Sequence, residues 1–143
     1  MPDMTLCDMA VDVLTTADGF EKTAKSRRHA ADWFAARSAG TPIRVGHATP
    51  PLRPSRPAKP EQLDPRDVPK RKPGSPQGRI ALLHAVAHIE LNAVDLHWDI
   101  IARFEHIPMP IGFYDDWVKS AAEESKHFNL ICDCLEALGS FYG

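Results

Sequence analysis

The sequence predicts an all-α chain. Two long helices form an antiparallel hairpin, half of a four-helix bundle, preceded by two short helices and a proline-rich extended segment. Three observations carry this. Residues 79–138 repeat apolar side chains at steps of three and four, the period of an amphipathic helix. A short proline-bearing turn, His106–Gly112, cuts that region once. Ten of the thirteen prolines fall in residues 41–78, where neither a helical nor a strand period is visible.

Residues 1–40 hold the short helices. Asp18-Gly19-Phe20-Glu21 reads as a capping-box variant, with Asp18 as N-cap and Glu21 at the third helical position. The helix it opens is expected to run to about Ser38 and to stop near Gly40, burying Phe20, Ala24, Ala31 and Phe34. Residues 41–78 read as a connector strapped across the surface, because proline fixes φ and removes a backbone donor. This zone also carries Arg53, Arg56, Lys59, Arg66, Lys70, Arg71 and Lys72, so the alternative is a basic arm that binds RNA or another polyanion. Residues 79–143 hold the hairpin, with helices over about 79–105 and 113–138. A short link forces them antiparallel.

The 143 residues suffice for one domain with a real core. A formal charge of −2 provides no global basic field for nucleic acid. Cys7, Cys132 and Cys134 are too few and too odd for a disulfide framework, and all three read as small buried or half-buried apolar residues. The start Met1-Pro2-Asp3-Met4 lacks the basic region of a signal peptide, and no apolar run reaches membrane-spanning length. The expectation is a cytoplasmic protein with no membrane contact.

Chemistry concentrates in Glu124-Ser125-Lys126-His127. A Glu and a His three residues apart lie one turn apart on one helix face. Carboxylate-bridged di-iron bundles use this motif together with a Glu from a neighbouring helix. The neighbour is Glu90. It falls in a gap of the stripe Ile80, Leu83, Ala87, Val94, Trp98, Ile101. Glu124 falls in a matching gap of Phe113, Trp117, Ala121, Phe128, Ile131, Leu135, Leu138. A carboxylate aimed at a core is costly unless a metal or a partner compensates it. Counted from the turn at about 1.5 Å per residue, Glu90 lies roughly 22 Å away and Glu124 and His127 roughly 17–21 Å away. The three therefore meet at one level as candidate ligands of iron, or of manganese or zinc. The alternatives are a buried Glu–His hydrogen bond, or a surface pair between Glu123 and His127. His84, His88, Asn92, Asp95 and Asp99 project opposite Glu90 and read as a polar outer face. His97 reads as core packing, and His29 and His47 have no partner identifiable from the sequence.

Several segments resemble a bacterial ferritin-like family of unknown function, domain of unknown function 455. They are Val68–Ser75, Gly78–Ala93 with its His-Ile-Glu-Leu-Asn-Ala run, Phe113–Trp117, Glu123–Phe128 and Leu138–Gly143. That family looks like a relative of the di-iron tRNA hydroxylase acting on prenylated adenosine. The resemblance implies a di-iron, O₂-dependent oxidoreductase. It also implies a second helix pair, with a second Glu and a second Glu-x-x-His, beyond Gly143. The chain is expected to be a truncated form of such a protein, or else to complete its site by pairing with a second copy. The competing reading is a non-enzymatic metal-storing or structural helical module.

Overall fold

The computed structural model describes residues 4–60 and 74–143. Among these residues there are four α-helices and no strand: α1 (Leu6–Leu14), α2 (Gly19–Ser38), α3 (Pro76–Arg103) and α4 (Ile111–Ala137). Local chemistry sets the starts. Thr5 and Asp8 form a reciprocal capping box on α1. Asp18 accepts the Glu21 N–H at 2.9 Å, and Ser75 accepts the Gly78 N–H at 2.9 Å with Pro76 behind it. The α2 helix ends at Ser38, and Gly40, at φ +77°, closes it off, with Thr41 N–H donating to the Ala36 carbonyl. The cap at Asp18 and the end at Ser38 are those expected from the sequence, and at 20 residues α2 is the longer of the two N-terminal helices.

The long helices lie along each other as an antiparallel pair, α1 packs on α3, α2 packs on α4, and α1 meets α2. The N-terminal helices thus cover one side of the hairpin. The core has two parts. Val94, Trp98, Ile101, Tyr114, Val118 and Ala121 join residues of α1 and α2 at the turn end. Ala87, Leu91, Phe128, Cys132 and Leu135 pack at the other end, with Tyr142 against them.

The buried stripe expected for α2 is the wrong face. Phe20, Ala24 and Ala31 are exposed and Phe34 is half-buried. The side that turns inward carries Lys22, Thr23, Ser26, His29, Ala30 and Trp33. Polar residues are buried there because each finds a partner. Trp98 Nε1 donates to Ser26 Oγ at 2.7 Å, and His29 Nε2 lies 2.7 Å from Asp12. Lys22 Nζ sits 2.5 Å from Asp95 and donates to the Ser55 carbonyl at 2.6 Å. Asp95 is therefore not on an outer face. It is 4% exposed and held by Lys22 and by Arg56. Burial pulls the Lys22 ammonium down from its ordinary range and pushes the Asp95 carboxyl up, while their ion pair opposes both shifts.

The segment before α3 is strapped along α1. Leu6 and Cys7 N–H groups donate to the Arg44 and Val45 carbonyls, and Ser55 N–H donates to the Leu14 carbonyl. Both ends of α1 are thereby satisfied by the strap. Gly46, at φ +70°, makes the close approach possible, since a Cβ there would meet Thr5 at 2.3 Å. Arg56 bonds Asn92 and Asp95, and Arg103 donates to the Pro51 carbonyl at 2.7 Å. Of the strap's basic residues, Arg66, Lys70, Arg71 and Lys72 lie outside the described residues, as does the quoted stretch from Val68 to Pro73.

Other expectations change too. His47 pairs with Glu105, so both histidines read as partnerless have carboxylate partners. Cys7 and Cys132 are buried, and burial pushes each thiol up to about 11. Cys134 is exposed. No helix among the described residues is long and apolar enough to cross a membrane.

Two outcomes follow from these pairings. Asp95→Ala leaves Lys22 and Arg56 unmatched inside the protein and is expected to cost about 3–5 kcal/mol in urea unfolding. A loss below about 1 kcal/mol would mean the pairs are decorative. The Arg37 guanidinium bonded to Asp115 holds that carboxyl below its ordinary value of 3.8. A depressed folded value contributes stability that is full above the unfolded value and is lost as pH falls through the folded one. Asp115→Asn should therefore lower stability most in the neutral range, where the contribution is full, and make the further fall below about pH 4 shallower, so that the two proteins converge in acid.

Candidate metal centre

The most buried line of α4 runs Tyr114, Val118, Ala121, Ser125, Phe128, Cys132, Leu135. Ala121, Phe128 and Leu135 lie on the expected line, but Tyr114, Val118 and Cys132 are buried in place of Phe113, Trp117 and Ile131, which are half-buried, and Leu138 is exposed. Ser125 fills the gap, with its hydroxyl donating to the Ala121 carbonyl at 2.7 Å. Glu124 therefore stands on the shoulder of the buried line, with 27% of its side chain exposed. On α3 the buried line is Ala87, Leu91, Val94, Asp95, Trp98, Ile101, and Glu90 stands on the matching shoulder at 18% exposure. The antiparallel pairing turns the two shoulders toward one another.

Glu90, Glu124 and His127 come together. One ligating atom from each lies within 4.8 Å of the other two. His127 Nδ1 is 3.8 Å from Glu90 Oε2 and 3.5 Å from Glu124 Oε2. Two donors bound to one ion at about 2.1 Å stand roughly 3.0–3.4 Å apart in octahedral or tetrahedral geometry. The two His127–carboxylate separations exceed this by a few tenths of an ångström, and the two carboxylates lie within 4.8 Å of each other, so a shared ion requires them to draw closer. Glu90 Oε2 is buried and has no hydrogen-bond partner. A buried carboxylate oxygen is normally satisfied, so this atom marks a position where a cation fits. Leu91 and Phe128, next in sequence to Glu90 and His127, are both fully buried in the core. Away from the core the cluster opens, since His127 is 50% exposed.

Glu123 is exposed and belongs to none of these contacts. His97 stands edge-on to Trp117, ring centroids 5.0 Å apart, outside the cluster. His84 and His88 are half-buried beneath the C-terminal tail rather than on a bare outer face. His84 stacks on Tyr142 at 4.9 Å, and His88 Nδ1 lies 3.1 Å from the Tyr142 hydroxyl. Ser125 escapes a count of apolar residues although it is fully buried. Its signal was available: a serine in step with Tyr114, Val118 and Ala121 fits a helix that returns its hydroxyl to the carbonyl four residues back.

The family described as "Protein of unknown function (DUF455)" matches residues 15–143. An uncharacterized protein of Haemophilus influenzae (strain ATCC 51907 / DSM 11121 / KW20 / Rd) is 44% identical over 92 residues. That stretch covers 61% of this chain and 32% of the relative, so the chain matches about a third of the length of that protein. No solved structure matches.

The orphaned Glu90 oxygen has a measurable consequence. In the presence of a chelator, Glu90→Leu should raise the unfolding free energy by about 1 kcal/mol or more, because it removes an uncompensated polar atom from a half-buried position. Urea titration of both proteins checks this. A destabilised Glu90→Leu would show that the carboxylate is already satisfied without a cation.

Proposed function

The chain belongs to the family described as "Protein of unknown function (DUF455)", and we propose that it works as a metal-binding helical module of ferritin-like type. The observation that carries this reading is the buried, unpartnered Glu90 oxygen facing Glu124 and His127 across the hairpin. Two carboxylates and an imidazole suit a divalent first-row cation, iron, manganese or zinc, and iron is the one that the ferritin-like resemblance implies. The two carboxylates offset the cation's charge, and the imidazole supplies a neutral lone pair. Leu91 and Phe128 exclude water on the core side. The open side, where His127 is half exposed, leaves room for further ligands and for a substrate.

We further propose that the protein to which this site belongs is a di-iron, O₂-dependent oxidoreductase. Bound iron would supply the redox chemistry. Glu90, Glu124 and His127 would act as ligands rather than as proton donors or acceptors.

Calorimetric titration of the purified chain with iron(II) under argon, then with manganese(II) and zinc(II), tests the metal reading. Glu124→Ala and His127→Ala should each weaken binding by about 100-fold or more, since each removes a direct ligand. Glu123→Ala should change it less than about threefold, because that side chain lies outside the cluster. Equal damage from Glu123→Ala and Glu124→Ala would refute the ligand assignment, as would an absence of binding in the unaltered chain. Oxygen consumption on adding iron(II) separates an oxidase from a passive metal carrier.

A further inference from the structure

The α3 helix carries a second apolar line besides its buried one. Leu82, Val86, Ile89, Ala93, Leu96 and Ile100 follow each other at steps of four, three, four, three, four. This is the spacing of a helix-pairing seam. Yet Leu82 is 64% exposed, Ile89 62% and Leu96 56%, and the other three are only half-buried. The line lies on the far side of Glu90 from the core, on the face that α1 and α2 leave open.

We infer that this face is the docking surface for a second copy of the chain, arranged about a two-fold axis beside Glu90. The seam is symmetric about position 91. An antiparallel α3–α3 pair centred there sets Leu82 against Ile100, Val86 against Leu96 and Ile89 against Ala93 of the second copy. A two-fold contact is self-complementary in this way. Any seam of this spacing has a centre; this one falls one residue from Glu90. The axis therefore brings the two Glu90–Glu124–His127 clusters to the same level, each facing the other's open side.

Area and charge agree with this occupant. The seam is about 27 Å long at 1.5 Å per residue, and a hairpin two helices wide is about 20 Å across. That is roughly 540 Å² per copy and about 1,100 Å² in all, which clears the lower bound for a specific interface. Four carboxylates would meet across the axis and repel one another unless cations lie between them. Two divalent cations balance them, so pairing and metal binding are coupled. Six protein ligands then replace three. This inference rests on the metal reading for its coupling, and on the seam alone for its contact surface.

Sedimentation equilibrium of the full chain, with chelator and with zinc(II) or iron(II) under argon, tests it. The expected result is a monomer–dimer equilibrium that metal tightens by about tenfold or more. Ile89→Glu should weaken the dimer by about 30-fold or more, with helicity by circular dichroism unchanged. Register is tested by mixing. Leu82→Glu and Ile100→Lys should each weaken self-association. An equimolar mixture should form a heterodimer more readily than either alone, because the two altered residues meet only in the antiparallel arrangement. A chain that binds metal but stays monomeric at high concentration overturns the inference and leaves the metal reading standing. Dimers lost with Ile89→Glu but indifferent to metal support the surface and sink the coupling. Failure of the mixture to associate better than its components refutes the antiparallel axis.

Discussion

Asp95 holds the molecule together. Its carboxylate receives Lys22 from α2 and Arg56 from the strap, while its own backbone belongs to α3. Three separate stretches of chain converge on one buried charge. An ion pair in a core repays its desolvation only when geometry and additional hydrogen bonds are good. Here Lys22 also reaches the Ser55 carbonyl, and Arg56 also reaches Asn92. The arrangement fixes where α2 and the strap sit against the hairpin. By occupying that side, it leaves the Glu90 shoulder as the open one.

The long helices were legible because their signal is local. Apolar steps of three and four and a proline-bearing turn predict both helices within three residues of where they lie, although the Ser75 cap that starts α3 went unread. The face of α2 was not legible by the same rule. A rule that counts apolar residues selects Phe20, Ala24, Ala31 and Phe34, whereas the core accepts Lys22, Ser26 and His29. Those side chains are buried because Asp95, Trp98 and Asp12 receive them, and the first two lie about seventy residues away in sequence. Nothing in the α2 sequence announces partners so distant. Asp95 was misread for the same reason: an isolated aspartate opposite the apolar stripe looks solvated until the lysine is found.

The cluster of Glu90, Glu124 and His127 sits between these cases. Matched depth along two antiparallel helices anticipated that the three would meet, because depth depends only on rise per residue. Phase was less certain. Ser125, not Glu124, occupies the buried line, and the carboxylates stand on the shoulders. The shift matters chemically. A carboxylate on a shoulder has one side against the core and one toward the open face, which suits a ligand better than full burial.

The strap along α1 has a consequence for the order in which the chain folds. At nine residues, α1 is too short to persist alone in water. Its first amides are bonded to residues 44 and 45 and its last carbonyl to residue 55, so it stays frayed until some forty residues downstream have been made and laid beside it. The α3–α4 hairpin, whose contacts are joined by one short turn, forms from near neighbours. The hairpin thus depends on contacts within itself, whereas α1 depends on a strap that must close a loop of some forty residues to reach it.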